Sequence, residues 1–175
     1  MSKRKKFVFK ILIGGDAGAG KTTILRRYVD RTFDESTIHT VGVDFFLKQI
    51  NIENTSITLQ LWDLGGQQRF RHLLDNFIMG ARGALFLFDL TRMPNMKKVS
   101  DWIEMLRTHK SSLPIILVGT KSDLVDLIAV DEETALKMKK NFKFMDYIET
   151  SSKTGKNVDK VFEKIAKIVL KISRY

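Results

Sequence analysis

The sequence predicts an α/β fold of three layers, α/β/α. At its centre is a six-stranded, mostly parallel sheet with one antiparallel edge strand. Three observations predict it. Short apolar runs that suit strands buried on both faces alternate with segments whose apolar residues recur every three or four positions. Such alternation implies parallel strands joined by right-handed crossovers, with helices on both faces of the sheet. The rhythm breaks once, between Val43 and Trp62, where two strand-like runs flank the turn-prone Glu53, Asn54 and Thr55. That pattern reads as a hairpin and supplies the antiparallel strand.

In chain order, FVFKILI (7–13) is the first strand and KTTILRRYVDRTF (21–33) the first helix. The hairpin follows, then the strand ALFLFDL (84–90) and the helix MKKVSDWIEMLRTH (96–109). The strand LPIILVG (113–119) precedes the helix EETALKMKKNF, for which Asp131 is a fitting N-cap with acidic residues in the first turn. A weaker strand, KFMDYIE (143–149), and the helix NVDKVFEKIAKIVLKI (157–172) complete the pattern. A chain of 175 residues with 43% hydrophobic content supports one core and is short for two. Residues 1–6, MSKRKK, read as a basic N-terminal tail and residues 7–175 as one domain, with no repeat or linker to divide it.

No apolar stretch approaches the roughly 20 residues of a membrane span, and MSKRKK lacks the hydrophobic region of a signal peptide. The expected location is the cytoplasm, with at most peripheral contact with membranes. The absence of cysteine excludes disulfides, thiolate metal sites and cysteine nucleophiles within this sequence. The formal charge of +10 fits either a solvated surface or an anionic partner. The basic residues lack interleaved exposed aromatics, so nucleic acid is not an expected partner.

The segment GDAGAGKT carries the first chemical signal. Gly15, four intervening residues, then Gly20, Lys21 and Thr22 form a phosphate-binding loop between a buried strand and a helix start. Its backbone N–H groups and the helix N-terminus favour a polyphosphate, Lys21 reaches the outer phosphates, and the Thr22 hydroxyl suits Mg2+. The second signal is WDLGGQQRF. Asp63 ends a buried strand where a second, water-mediated magnesium anchor is needed, and Gly66 offers a bare N–H to a terminal phosphate. Gln67 follows, with a side chain able to donate to and accept from an attacking water.

Five segments in order, GDAGAGKT, HTVGVDFF, WDLGGQQRF, VGTKSDL and ETSSKTG, resemble the Ras-like small GTPases across essentially the whole chain. TVGVDF and GQQRF are closest to the Rab branch, while the pair Gly65 and Gly66 is more like the Arf branch. The resemblance implies the P-loop NTPase fold of a small G domain, with GTP/GDP and Mg2+ as ligands. It puts Gly15, Asp16, Ala17, Gly18, Ala19, Gly20, Lys21, Thr22 and Thr23 around the phosphates. Thr40, in the first switch, would bind both magnesium and the terminal phosphate, so that Thr22, Thr40 and Asp63 organise the metal. Gln67, Lys21 and Thr40 would serve hydrolysis, and Gly66 the terminal phosphate. Phe33 falls where the family has an aromatic ring near guanine; a hydrophobe packed on the core is the other reading. Asp123 would accept from the ring N–H and exocyclic amine of guanine, a pairing that adenine cannot offer. Lys121 would cover the base, and Ser151, Ser152 and Lys153 would form the last base-contacting loop.

Three departures from the family pattern carry consequences. Thr120 replaces the usual asparagine and cannot supply an amide's paired donor and acceptor, so guanine specificity is expected with reduced affinity. Ala17 puts a methyl group near the terminal phosphate, which implies slow hydrolysis and hindered entry of an activator's arginine. This sequence carries no C-terminal cysteine for a lipid, so the chain at KISRY is either cut short or uses no lipid; basic surface is then the candidate for membrane contact. The expected function is a monomeric GTP-binding switch with slow magnesium-dependent hydrolysis, recruiting effectors through both switches and served by an exchange factor and a GTPase-activating protein. A nucleotide-binding scaffold with negligible turnover and an ATP-using enzyme on the same loop are the alternatives.

Overall fold

The computed structural model describes residues 5–36, 40–66 and 68–174. The sheet is formed by β1 (Lys5–Gly14), β2 (Val43–Ile52), β3 (Thr55–Leu64), β4 (Gly83–Asp89), β5 (Ile115–Thr120) and β6 (Asp146–Glu149). The helices are α1 (Lys21–Asp30), α2 (Asp75–Ile78), α3 (Met96–Leu106), α4 (Glu132–Asn141) and α5 (Val158–Ser173), with 3-10 turns at Gln68–Leu73 and Val125–Leu127. Strand order is β2-β3-β1-β4-β5-β6, parallel throughout except for the antiparallel edge pair β2–β3. This is the expected three-layer α/β architecture.

The period-two alternation of strands divides the core into two apolar layers. Ile11, Ile13, Leu85 and Leu87 point to the side that packs Leu25, Tyr28 and Phe162 from α1 and α5. Leu12, Ala84, Phe86 and Phe88 point to the other side, against Trp102 and Leu106 of α3. β4 and β5 are buried along their whole length, which is why they read as unbroken apolar runs. The rings of Tyr28 and Phe162 stack at 4.0 Å and tie α1 to α5. Asp131 accepts from the Thr134 N–H at 2.8 Å and caps α4 as its sequence position suggested, while Asn95 does the same for α3.

Helices α1 and α3 end three residues before the expected 33 and 109, and two strand boundaries differ for visible reasons. β1 starts at Lys5, because the long β3 provides partners for Lys5 and Lys6 at Thr55 and Ser56; those two lysines are sheet, not tail. β6 covers only Asp146–Glu149 of the expected 143–149, since Lys143 turns through φ 55° and Phe144 is buried as a plug. The ends of β1, β3, β5 and β6 converge on one edge. The chain there leaves each strand for the loop segments that carry the motifs, as open α/β sheets require for ligand binding.

Removing the α1–α5 stack should be costly. Phe162→Ala is expected to lower unfolding free energy by about 3–5 kcal/mol, read as a lower urea midpoint at fixed nucleotide concentration. A loss below about 1 kcal/mol would show that the stack does not bear on stability.

Candidate functional site

At the carboxyl edge of the sheet a cavity of about 350 Å³ runs from the phosphate loop to the base-contacting loops. Ala17, Gly18, Gly20, Lys21, Thr22, Thr23, Phe33, Thr40, Gly66, Thr120, Lys121, Asp123, Ser152 and Lys153 line it. Gly15, Asp16, Ala19, Asp63 and Ser151 do not line it but support residues that do. A larger cavity of about 630 Å³ lies between the phosphate loop and α3, without Lys21, Thr22, Thr40 or Asp123. The smaller one therefore holds the chemistry.

Gly20 at φ 87° opens α1 with no side-chain cap, so the N–H groups of the first turn are left to face a ligand. Lys21 is only 6% exposed, and its ammonium donates to Gly15 O at 2.7 Å and Asp16 O at 3.0 Å. Burial pulls its pKa down to about 8, although Asp63 and Asp16 favour the charge. Its hydrogen-bond partners are carbonyls, so this buried cation favours an incoming anion.

Thr22, Thr40 and Asp63 meet at their oxygens. Thr22 Oγ1 lies 2.6 Å from Thr40 Oγ1 and donates to Asp63 Oδ2 at 2.5 Å, and Thr40 Oγ1 donates to the same oxygen at 3.3 Å. Asp63 is fully buried and its Oδ1 has no partner. Burial pushes its pKa up, against the two threonine hydrogen bonds and Lys21. An all-oxygen set with an orphaned carboxylate oxygen fits Mg2+. Among the described residues no three His, Cys, Asp or Glu side chains are grouped to hold a metal ion.

The glycine pair that set WDLGGQQRF apart has a packing reason. A Cβ on Gly65 would lie 2.6 Å from Gly42 O, and one on Gly66 would lie 2.3 Å from Ala17 N. The Gly65 N–H also donates to Gly42 O at 2.7 Å. First switch, second switch and phosphate loop thus touch backbone to backbone. Gln67, the expected water-orienting residue, lies outside the described residues, as do residues 37–39.

At the other end, Asp123 Oδ1 accepts from Ser151 Oγ at 2.6 Å, which holds the carboxylate as an acceptor beside the cavity. The Lys121 ammonium reaches Asp89 Oδ2 at 2.6 Å and Gly18 O at 3.2 Å. Burial works the other way, but hydrogen bonds from Lys121 and Thr91 hold the Asp89 carboxyl below the usual range. Thr120 Oγ1 lies 2.8 Å from Ala19 O and 3.1 Å from Phe88 O, so a single hydroxyl ties the base loop to the phosphate loop. Phe33 is half-buried at the cavity wall, and Lys153 pairs with Glu35 across the mouth at 3.2 Å.

The sequence reading missed Asp34, Glu35, Ser36 and Leu124 in the wall, although the first three follow Phe33 directly and Leu124 follows TKSD. It also missed an aromatic surface beside the switches. Phe45 on β2 packs 4.8 Å from Trp62 on β3, which lies 5.8 Å from Phe77 of α2. Phe45 is exposed, and the buried Trp62 Nε1 has no partner. The alternation of β2 signalled that Phe45 and Leu47 share one exposed face.

A profile described as the Ras family matches residues 10–171. The chain is 38% identical over 178 aligned residues to "Ras-related protein Rab-1" of Theileria annulata, covering 99% of this chain and 80% of that protein. It is 36% identical to the Theileria parva protein of the same name, with the same coverage. It is also 36% identical to "Ras-related protein Rab-1D" of Dictyostelium discoideum, over 95% of this chain and 82% of that one. With the phosphate loop, both switch segments and the base-contacting loops gathered on one cavity, the chain belongs to the Ras family of small GTPases, in its Rab branch.

Proposed function

We propose that this protein is a switch that binds GTP and GDP with Mg2+, hydrolyses GTP slowly and recruits effectors in the triphosphate state. The observation that carries the reading is the continuity of the cavity from Lys21 and Thr22 to Asp123. One end has the chemistry for a polyphosphate and the other an acceptor for a guanine edge. Magnesium, when bound, supplies charge neutralisation between the outer phosphates. Thr22, Thr40 and Asp63 would hold it, Lys21 and the loop amides would stabilise charge on the phosphates, and Gln67 would orient water. Loss of the terminal phosphate would free Thr40 and Gly66 from that group and release the two switches. The Phe45–Trp62–Phe77 surface, contiguous with both switches, is the proposed docking face for the apolar anchor of an effector. Vesicle traffic is the proposed process, on the strength of the Rab likeness.

Peripheral membrane contact is proposed from charge placement. Helices that cross back between parallel strands end at the edge opposite the site. Arg107 and Lys110 after α3, Lys140 and Lys143 at α4, and Lys171 and Arg174 at α5 all fall there, beside Lys5 and Lys6 of β1. Of the acids there, Asp146 is already held by Lys139 and Lys164, and Glu53 by Arg174.

Calorimetry should give GDP an affinity at least about a hundredfold above ADP, as failed pairing at Asp123 requires, and Gln67→Leu should abolish single-turnover phosphate release; equal affinities would exclude the base assignment, and unchanged release the role of Gln67. Because bound polyphosphate favours the Lys21 ammonium, affinity for GDP without Mg2+ should be flat between about pH 7 and 8, where the phosphates are ionised, and fall above that. Binding should take up protons at pH 8, read from heats in two buffers of different ionisation enthalpy, and zero uptake would mean that Lys21 is already fully charged in the free protein. Co-sedimentation with phosphatidylserine vesicles should be strong at low salt, weak at high salt and absent with neutral vesicles; binding that ignores salt would rule out the electrostatic contact.

A further inference from the structure

The phosphate loop carries an acidic side chain, Asp16, which would repel a polyphosphate if its charge stood free. It does not. Asp16 Oδ1 accepts from Trp102 Nε1 of α3 at 3.0 Å and from Arg71 Nη2 of the second-switch 3-10 turn at 3.1 Å. The Arg71 guanidinium lies 4.6 Å from the centroid of the Trp102 indole. Trp102 is fully buried and the Arg71 side chain is 15% exposed. The three groups therefore form a connected unit: a paired carboxylate whose side chain stays 43% exposed, a cation stacked on an aromatic face, and an indole N–H fixed by the core. They come from three separate segments, 55 and 86 residues apart along the chain.

We infer that Arg71 is a positioning residue for hydrolysis: bridging Asp16 and Trp102, it latches the turn that follows Gln67 onto the phosphate loop and links it to α3. The inference rests on the hydrolytic reading above. The latch removes one source of repulsion from the phosphate site and restrains the second switch through contacts that do not include the nucleotide. It also gives α3 a sensor of that switch, since any movement of the turn lifts a cation off Trp102.

Single-turnover GTP hydrolysis and GDP affinity of the whole chain test it together with Trp102 emission, which a Trp62→Phe background isolates because the chain has two tryptophans. Arg71→Ala is expected to lower the hydrolysis rate by about tenfold, the scale of one charge-assisted hydrogen bond. GDP affinity should fall less than the rate does. Arg71→Lys should restore only part of the rate, because a lysine keeps the charge but not the fork. Adding Asp16→Asn to Arg71→Ala should recover GDP affinity, since the uncompensated charge is gone. Trp102 emission should differ between GDP and a non-hydrolysable GTP analogue, and Arg71→Ala should abolish the difference. A wild-type rate in Arg71→Ala, or a loss of rate matched by an equal loss of GDP affinity, overturns the inference. If the parent chain hydrolyses no GTP, the hydrolytic reading fails, and the emission decides the latch: a nucleotide-dependent signal that needs Arg71 supports it, and its absence overturns it.

Discussion

The burial of the Lys21 ammonium is the constraint on which the rest of the site depends. A cation taken out of water needs compensation of several kcal/mol, and two backbone carbonyls supply part of it. The loop must curl to present those carbonyls, which takes glycines, and α1 must start at Lys21, which leaves its first N–H groups without partners. A buried cation that only carbonyls accept from and a helix start without a side-chain cap thus face the same volume. A polyphosphate would relieve both at once, and burial without one is what lowers the Lys21 pKa.

In the proposed switch, close backbone contact is what would convert occupancy into shape. The Gly65–Gly42 and Gly66–Ala17 approaches leave no space for a Cβ, so phosphate loop and switches move relative to one another only by breaking contact. Packed interfaces of this kind are bistable rather than gradually deformable. The Thr22–Thr40–Asp63 oxygens lie in the same crevice, where Thr40 is held by hydroxyl hydrogen bonds to Thr22 and to the buried Asp63 carboxylate. A hard cation at that point would set the balance between the docked and released states.

Most of the fold was legible because β4, β5 and the second half of β1 are buried on both faces and helices α1, α3, α4 and α5 each keep an apolar stripe. The boundaries were less so. β1 extends through Lys5 and Lys6 because the neighbouring strand happens to offer partners, and a register between strands is not written in either strand alone. The same distinction holds within the site. Residues sharing a short segment, such as Gly20, Lys21 and Thr22, announce themselves by spacing. Ser151 on Asp123, Lys121 on Asp89, and Arg71 and Trp102 on Asp16 are pairs brought together by the topology, and each partner alone reads as an ordinary polar or core residue.

Thr120 shows how such pairs alter a reading made from one position. Judged alone, replacing an amide by a hydroxyl removes a donor–acceptor pair from the link between base and phosphate loops. In the folded chain that link has two strands. The Thr120 hydroxyl reaches Ala19 O, with Phe88 O as a second acceptor, and the Lys121 ammonium reaches Gly18 O from its anchor on Asp89. The hydroxyl contact is fully buried in a low-dielectric setting, where a neutral hydrogen bond keeps most of its strength. The lysine contact is charge-assisted, made by an ammonium that the Asp89 carboxylate holds in place. With adjacent carbonyls of one loop gripped by adjacent residues of the other, the base and phosphate ends of the cavity are held as one body. The cost of the missing amide is therefore expected in the affinity for the whole nucleotide, and not in the choice of base, which on the proposed reading would fall to Asp123, whose carboxylate is fixed separately by Ser151.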